Sequence, residues 1–191
     1  MKARAVSLTL IGVLLLASAL CLTGVNLQDE RRAGRDIAQI LSTWSESPDP
    51  SGAIAVSAFQ HSDTAMPTVE IGGASYIGRL SLPDAVLPIL ADWNDLATAP
   101  GRFSGSVSDK NLVIAGHNYR AHFGSLTQLS FGDAVSFTGV DGHRHRYQVT
   151  GIDVIAGTDR DGILAGDWHL TMFTCTFSGT HRLAVRCRCI P

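Results

Sequence analysis

Nothing in this chain repeats, no low-complexity tract interrupts it, and no basic stripe runs along it. The first two absences exclude a solenoid and a compositionally biased linker. The third, with 15 basic residues against 17 acidic ones and a formal net charge of −2, excludes nucleic acid as the main partner. Cysteine is scarce: four in 191 residues, with Cys21 inside an apolar run. The remaining three, Cys175, Cys187 and Cys189, are an odd number, so at least one thiol stays free. Apolar residues are plentiful at 45%, ample for one domain core beside a short appendage.

The appendage is N-terminal. After Lys2 and Arg4, the segment from Ala5 to Val25 contains no charge. About 20 apolar residues cross the hydrocarbon core as a helix, whereas the apolar centre of a secretory signal is about 7–15 residues long. An uncleaved anchor over residues 1–25 fits the length, although Ala17-Ser18-Ala19 resembles a cleavage site. Cys21 suggests a lipoprotein, but Leu20 before it is bulkier than such sites accept. Lys2 and Arg4 on one side balance Arg31, Arg32 and Arg35 on the other, so the positive-inside rule does not set the topology.

Residues 26–52 read as helix and linker. Ile37, Ile40, Leu41 and Trp44 recur at helical spacing, and Ser45–Gly52 has the Ser, Pro and Gly content of a loop. Residues 53–191 form the domain. The stretch after Gly52 is indistinct, and from Tyr76 short apolar segments follow one another. They are YIGRLSL, VLPIL (interrupted at Pro88), NLVIAG, DAVSFTG, HRYQVTGIDVIAG, HLTMFTC and RLAVRCRCI, with a helical turn at FGSLTQL. Short strands with little helix between them predict a mostly β fold, a closed or nearly closed barrel.

The last segment alternates. Leu183, Val185, Cys187 and Cys189 share one face, so both cysteines read as core thiols, and Arg182, Ala184, Arg186 and Arg188 share the other. Residues two apart on a strand lie about 6.6 Å apart, which disfavours a Cys187–Cys189 bridge. Cys175 ends its strand, where a rigid sheet meets a loop, and Arg182 opens the next strand. A hairpin would bring the two together. A free thiol has a pKa of about 8.5 and needs a base or cation to act as a nucleophile. His117, directly after the strand and glycine of NLVIAG, is the best-placed base, and His122 is a second candidate. An arginine adds a fixed fork of donors for an oxyanion.

These residues resemble the sortases, membrane-anchored cysteine transpeptidases of Gram-positive cell surfaces. The family signature Thr-Leu-x-Thr-Cys is matched by Thr171–Cys175, with Met172 for leucine. The Gly-His pattern is matched at His117, and the arginine that begins the following strand at Arg182. YIGRLSLP and FGDAVSF extend the likeness over Tyr76–Ile190, and the helix at Leu27–Trp44 leans toward class B-like members. The resemblance implies a sortase-like eight-stranded β-barrel and attack by Cys175 on the threonine carbonyl of an LPXTG-like sorting signal. A thioester would form, to be resolved by an amine on a cell-wall precursor or pilin. It implies His117 as base and acid and Arg182 as oxyanion partner, with Thr174 and Arg186 in substrate binding. Arg186 shares Arg182's face and stays open as the oxyanion partner. No metal or cofactor is implied. The chain is then a single-pass membrane protein with its catalytic domain outside the cell. The alternative of another class is an anchored, non-enzymatic binding domain with zinc on Cys175, His181, Cys187 and Cys189. A degenerate sortase that only binds signals is a third reading. His143 and His145 read as hairpin surface.

Overall fold

A computed structural model describes residues 2–46 and 66–191, with side chains at residues 10–44 and 66–191. It divides into two units, Met1–Arg32 and Ala33–Pro191. Helix α1 spans Lys2–Glu46. In the first unit its apolar side chains, among them Leu14 and Leu20, are exposed. The helix is long and apolar enough to cross a membrane by length and composition. The loop expected at Ser45–Gly52 lies outside the described residues from residue 47 on, while Ser45 and Glu46 close α1.

In the second unit the helical stripe meets the core as its spacing requires. Ala33, Ile37 and Ile40 are buried, and Leu41 and Trp44 pack against the same cluster. The Trp44 ring meets Tyr76 edge-on at 6.2 Å. The strands are β1 (Val69–Ile71), β2 (Ala74–Leu82), β3 (Ala85–Leu90), β4 (Gly101–Ser104), β5 (Leu112–Ala115), β6 (Ala134–Gly139), β7 (Arg144–Ala156), β8 (Leu170–Cys175) and β9 (His181–Cys189). A 3-10 turn, Phe123–Gln128, follows β5, and a short helix α2, Arg160–Leu164, lies between β7 and β8. The sheet order is β1-β2-β3-β4-β5-β8-β9-β7-β6, and β6 pairs back onto β2. Eight strands therefore close into a barrel, with β1 attached to the first residues of β2.

Closure sorts each strand into two faces. Leu80, Leu112, Ile114, Phe137, Met172, Val185 and Cys187 fill the interior. Val113, Ala115, Phe173 and Ala184 form a second cluster on the outer face, under Ile163 of α2. The middle of β9 is thus buried on both sides. The expectation of two core thiols holds for Cys187, whose burial pushes its thiol up to about 12. It fails for Cys189, which is exposed because it is the last residue of β9, at the barrel's end.

Pro88 does not interrupt β3. It sits in register opposite Arg79, and Leu90, two residues on, donates its N–H to Pro100 at the approach to β4. Strand β4 meets β3 only at Leu90, so the edge that Pro88's missing donor faces carries no ladder bond.

Candidate active site

Three strand ends meet at one rim of the barrel. Strands β5 and β8 run parallel with Ala115 opposite Phe173, and Gly116 extends the ladder by donating to the Phe173 carbonyl at 3.1 Å. Two residues beyond Ala115 and Phe173 on their respective chains are His117 and Cys175. Strand β9 returns antiparallel with Arg182 directly opposite Cys175. Neighbouring strands are spaced about 4.8 Å apart, so Cys175 lies between the histidine and the arginine. All three side chains are half-buried, neither sealed in the core nor fully in solvent.

His117 has just left β5. Its carbonyl accepts from Phe123 N–H at 3.0 Å, which ties the loop to the 3-10 turn, and its ring lies 5.0 Å from that of Tyr119. Partial burial lowers its pKa below the usual histidine value, so the ring is neutral at pH 7 and able to accept a proton. Arg182 donates through Nη1 to the carbonyls of Gly179 and His181, both at 3.1 Å. The hairpin loop thereby holds the guanidinium at the rim. No hydrogen bond among the described residues joins Cys175 to either neighbour; such contacts are often loose until substrate is bound.

The hairpin loop is internally ordered. Thr176 N–H donates to the His181 carbonyl at 3.0 Å, and a chain of hydroxyls links Thr176, Ser178 and Thr180. Gly179 takes φ +73, a conformation that side-chain-bearing residues avoid, and Phe177 stands fully exposed beside it.

Phe173 shares the outer face with Cys175 and leads into a run of rings. It meets Phe103 at 5.2 Å, Phe103 meets Trp93 at 4.8 Å, and the Arg160 guanidinium lies 4.9 Å over Phe103. This apolar floor next to the thiol was not anticipated from sequence. Strand β4, which carries Phe103, is only four residues long, and α2 only five. The available signal was Asp159, whose carboxylate caps α2 by accepting from Gly162 N–H at 2.8 Å.

Arg186 and Thr174, expected in substrate binding, are both buried. Arg186 is 2% exposed, with Nε on Asp153 at 3.2 Å and its other donors on the carbonyls of Gly162 and Ile163 and on Thr171 Oγ1. Its donors are thus taken up by Asp153, Thr171 and the carbonyls of Gly162 and Ile163 in α2. Thr174 points to the interior face, buried, with Oγ1 unpartnered among the described residues. His122 lies behind His117, across the Tyr119 ring, and is closed off from solvent. His145 stands opposite Phe137 on the inward face, half-buried rather than on the hairpin surface with His143.

The zinc arrangement also fails. Cys175 lies opposite Arg182 and Cys187 opposite Leu170, so five β9 residues, about 17 Å, separate their levels. Sulfur ligands must each approach zinc to about 2.3 Å.

A family model for the sortase domain matches residues 76–190. The chain belongs to the sortase family. Among solved structures this sortase is similar to sortase A from Corynebacterium diphtheriae, with 25% identity and a TM-score of 0.54 over 62% of each chain. It is also similar to sortase C1 from Streptococcus agalactiae, with 27% identity and a TM-score of 0.54 over 61% of this chain and 70% of that one. Sortase C-1 from Actinomyces oris matches at 25% identity and a TM-score of 0.52, over 60% of this chain and 73% of the other. The chain thus spans less than two thirds of the first of these relatives. The class B-like leaning finds no support among these sortases. Comparison with curated protein sequences gives no match.

Proposed function

We propose that this sortase is a membrane-anchored cysteine transpeptidase acting on proteins that carry an LPXTG-like sorting signal. The observation that carries the reading is the register at the rim, with Cys175 at the end of β8 between His117, two residues past β5, and Arg182 on β9. Residues 1–25 serve as the anchor, 26–52 as helix and linker, and 53–191 as the catalytic barrel, held outside the cell where sorting signals are exported.

In this reading His117, neutral at pH 7, accepts the Cys175 thiol proton as sulfur attacks the threonine carbonyl. Negative charge develops on that oxygen, and the Arg182 guanidinium faces it with donors in a fixed fork. The peptide bond after threonine breaks, and the leaving amine takes the proton from His117. The threonine acyl group remains on Cys175 as a thioester. A second amine, on a cell-wall precursor or pilin, attacks the thioester while His117 takes its proton. An amide forms, and the thiolate leaves and is reprotonated. Phe173, Phe103 and α2 supply an apolar surface next to the thiol for the residues before threonine.

The test combines thiol labelling with turnover of a quenched LPXTG peptide in the presence of hydroxylamine. Cys175 is expected to be alkylated first, with His117→Ala slowing it and Cys175→Ala abolishing turnover. Arg182→Lys should lower kcat by about 10²-fold, the scale seen when one oxyanion donor is removed. Turnover retained by Cys175→Ala would remove that residue from the nucleophile role.

A further inference from the structure

The last part of α1, the β1–β2 turn and the connection between β3 and β4 enclose a pocket of about 550 Å³. Asp36 and Ile40 reach it from one stripe of α1, Asp95 from the β3–β4 connection, and Tyr76 from β2. All of these residues belong to the unit Ala33–Pro191. Tyr76 stands opposite Leu90, Leu90 opposite Gly101, and Gly101 opposite Ala115, so the pocket is at the same end of the barrel as Cys175. Strands β3, β4 and β5 lie between it and β8, which keeps it apart from the site at the rim.

Tyr76 marks this pocket as a site. It is 1% exposed, its ring packed edge-on against Trp44, yet it lines the pocket, and its hydroxyl makes no hydrogen bond among the described residues. A tyrosine so buried ordinarily finds a partner for its hydroxyl. Two carboxylates, carried by different elements, act on the same phenol. Burial, then the charges of Asp95 and Asp36, pushes its pKa up to about 12, so at neutral pH it stays protonated and its oxygen can accept. Thr98 Oγ1 donates to Asp95 Oδ2 at 2.8 Å, which fixes that carboxylate and leaves its other oxygen to the pocket. No lysine, arginine or histidine lines the cavity. Its oxygens therefore call for a positive group with several donors, and a primary ammonium has three and no acceptor. A calcium ion takes about 6–8 oxygens, and no cluster of three metal-ligating side chains occurs among the described residues. Ile40 and Ile71 give an apolar wall for an alkyl chain, and the volume is that of a small-molecule site, about 300–1,000 Å³.

We propose that this pocket binds a primary alkylammonium group, carried by a free amine or by a lysine side chain. The site is independent of the Cys175 reading and stands or falls separately. The test is calorimetric titration of the full chain in neutral detergent, first with butylamine, then with Nα-acetyl-lysine methylamide. Binding of both would mean that the alkylammonium suffices. Binding of butylamine alone would assign the site to a free amine, and binding of the lysine compound alone would show that peptide contacts along the β1–β2 turn are needed. Nα-acetyl-norleucine methylamide, which lacks the ammonium, should give no heat. Asp36→Asn/Asp95→Asn together should weaken Kd by more than about tenfold, the loss of two charge-assisted hydrogen bonds. Tyr76→Phe, which keeps the ring, should weaken it about fivefold. Asp84→Asn, on the β2–β3 turn at the other end of β2, should leave it unchanged. Asparagine keeps the shape of both aspartates, so the double variant should melt like the wild type; if it fails to fold, Tyr76→Phe alone decides. No binding of either amine, equal binding of the norleucine compound, or a wild-type Kd in the folded variants would overturn the proposal.

Discussion

His122 is closed off from solvent, and neither ring nitrogen makes a well-formed hydrogen bond among the described residues, the Thr98 backbone favouring the protonated ring only weakly against burial. Its ring packs 5.5 Å from Tyr119, which in turn packs on His117. An unsatisfied buried polar group costs about 1–3 kcal/mol, so His122→Leu is expected to raise stability by roughly that amount. Burial, with the His117 charge adding to it, lowers the His122 pKa from 6.5 to about 4. The unfolded chain therefore takes up a proton near pH 6.5 that the folded chain refuses until about pH 4. Stability is fully present above the unfolded pKa and falls as pH drops through that window, by up to about 3 kcal/mol. Urea midpoints at pH 7 and pH 4.5 check both effects. The wild type should lose more stability between the two than His122→Leu does. Equal losses would mean that the acid sensitivity arises elsewhere.

At the scale of elements, the seam that closes the barrel leaves no room for a side chain at Gly78. Gly78 faces Gly139 where β2 shifts register, and a Cβ there would collide with the Thr138 carbonyl and lie 2.6 Å from Phe137. Gly78→Ala should destabilise the barrel by about 1–3 kcal/mol, the cost of forced overpacking, read as a lowered Tm. An unchanged Tm would show that the seam can relax. The sequence made most strands legible because apolar and polar residues alternate along them, and YIGRLSL lies within β2 and NLVIAG around β5. The Gly72-Gly73 pair, φ +61 and +83, makes the two-residue turn of the β1–β2 hairpin and was legible in principle. Three residues of β1 carry too little pattern to be noticed. Cys175, His117 and Arg182 stood out because each ends or begins a strand. The burial of Arg186 was not legible, because alternation gives a face but not what covers it, and α2 covers this one. Cys189 misled for the converse reason: its face is apolar, but its level lies past the core.

At the scale of the whole chain, the last part of α1 belongs energetically to the barrel. The compact unit begins at Ala33, and Ile37 and Ile40 are buried in the same cluster as Leu80 and Met172. Trp44 meets Tyr76, and the Arg79 guanidinium lies 5.4 Å from the Trp44 ring. Burying one isoleucine contributes about 1.5–3 kcal/mol, so these residues are worth several kcal/mol against a typical total of about 5–15. A chain starting at residue 33 should therefore fold with a Tm within a few degrees of the full chain in detergent. One starting at residue 47 should melt about 10 °C or more lower, at about 2–4 °C per kcal/mol for a domain of this size, and should expose apolar surface that binds a hydrophobic dye. Matching melting curves for the two truncations would show that the stripe only rests on the barrel, and that the domain starts after α1.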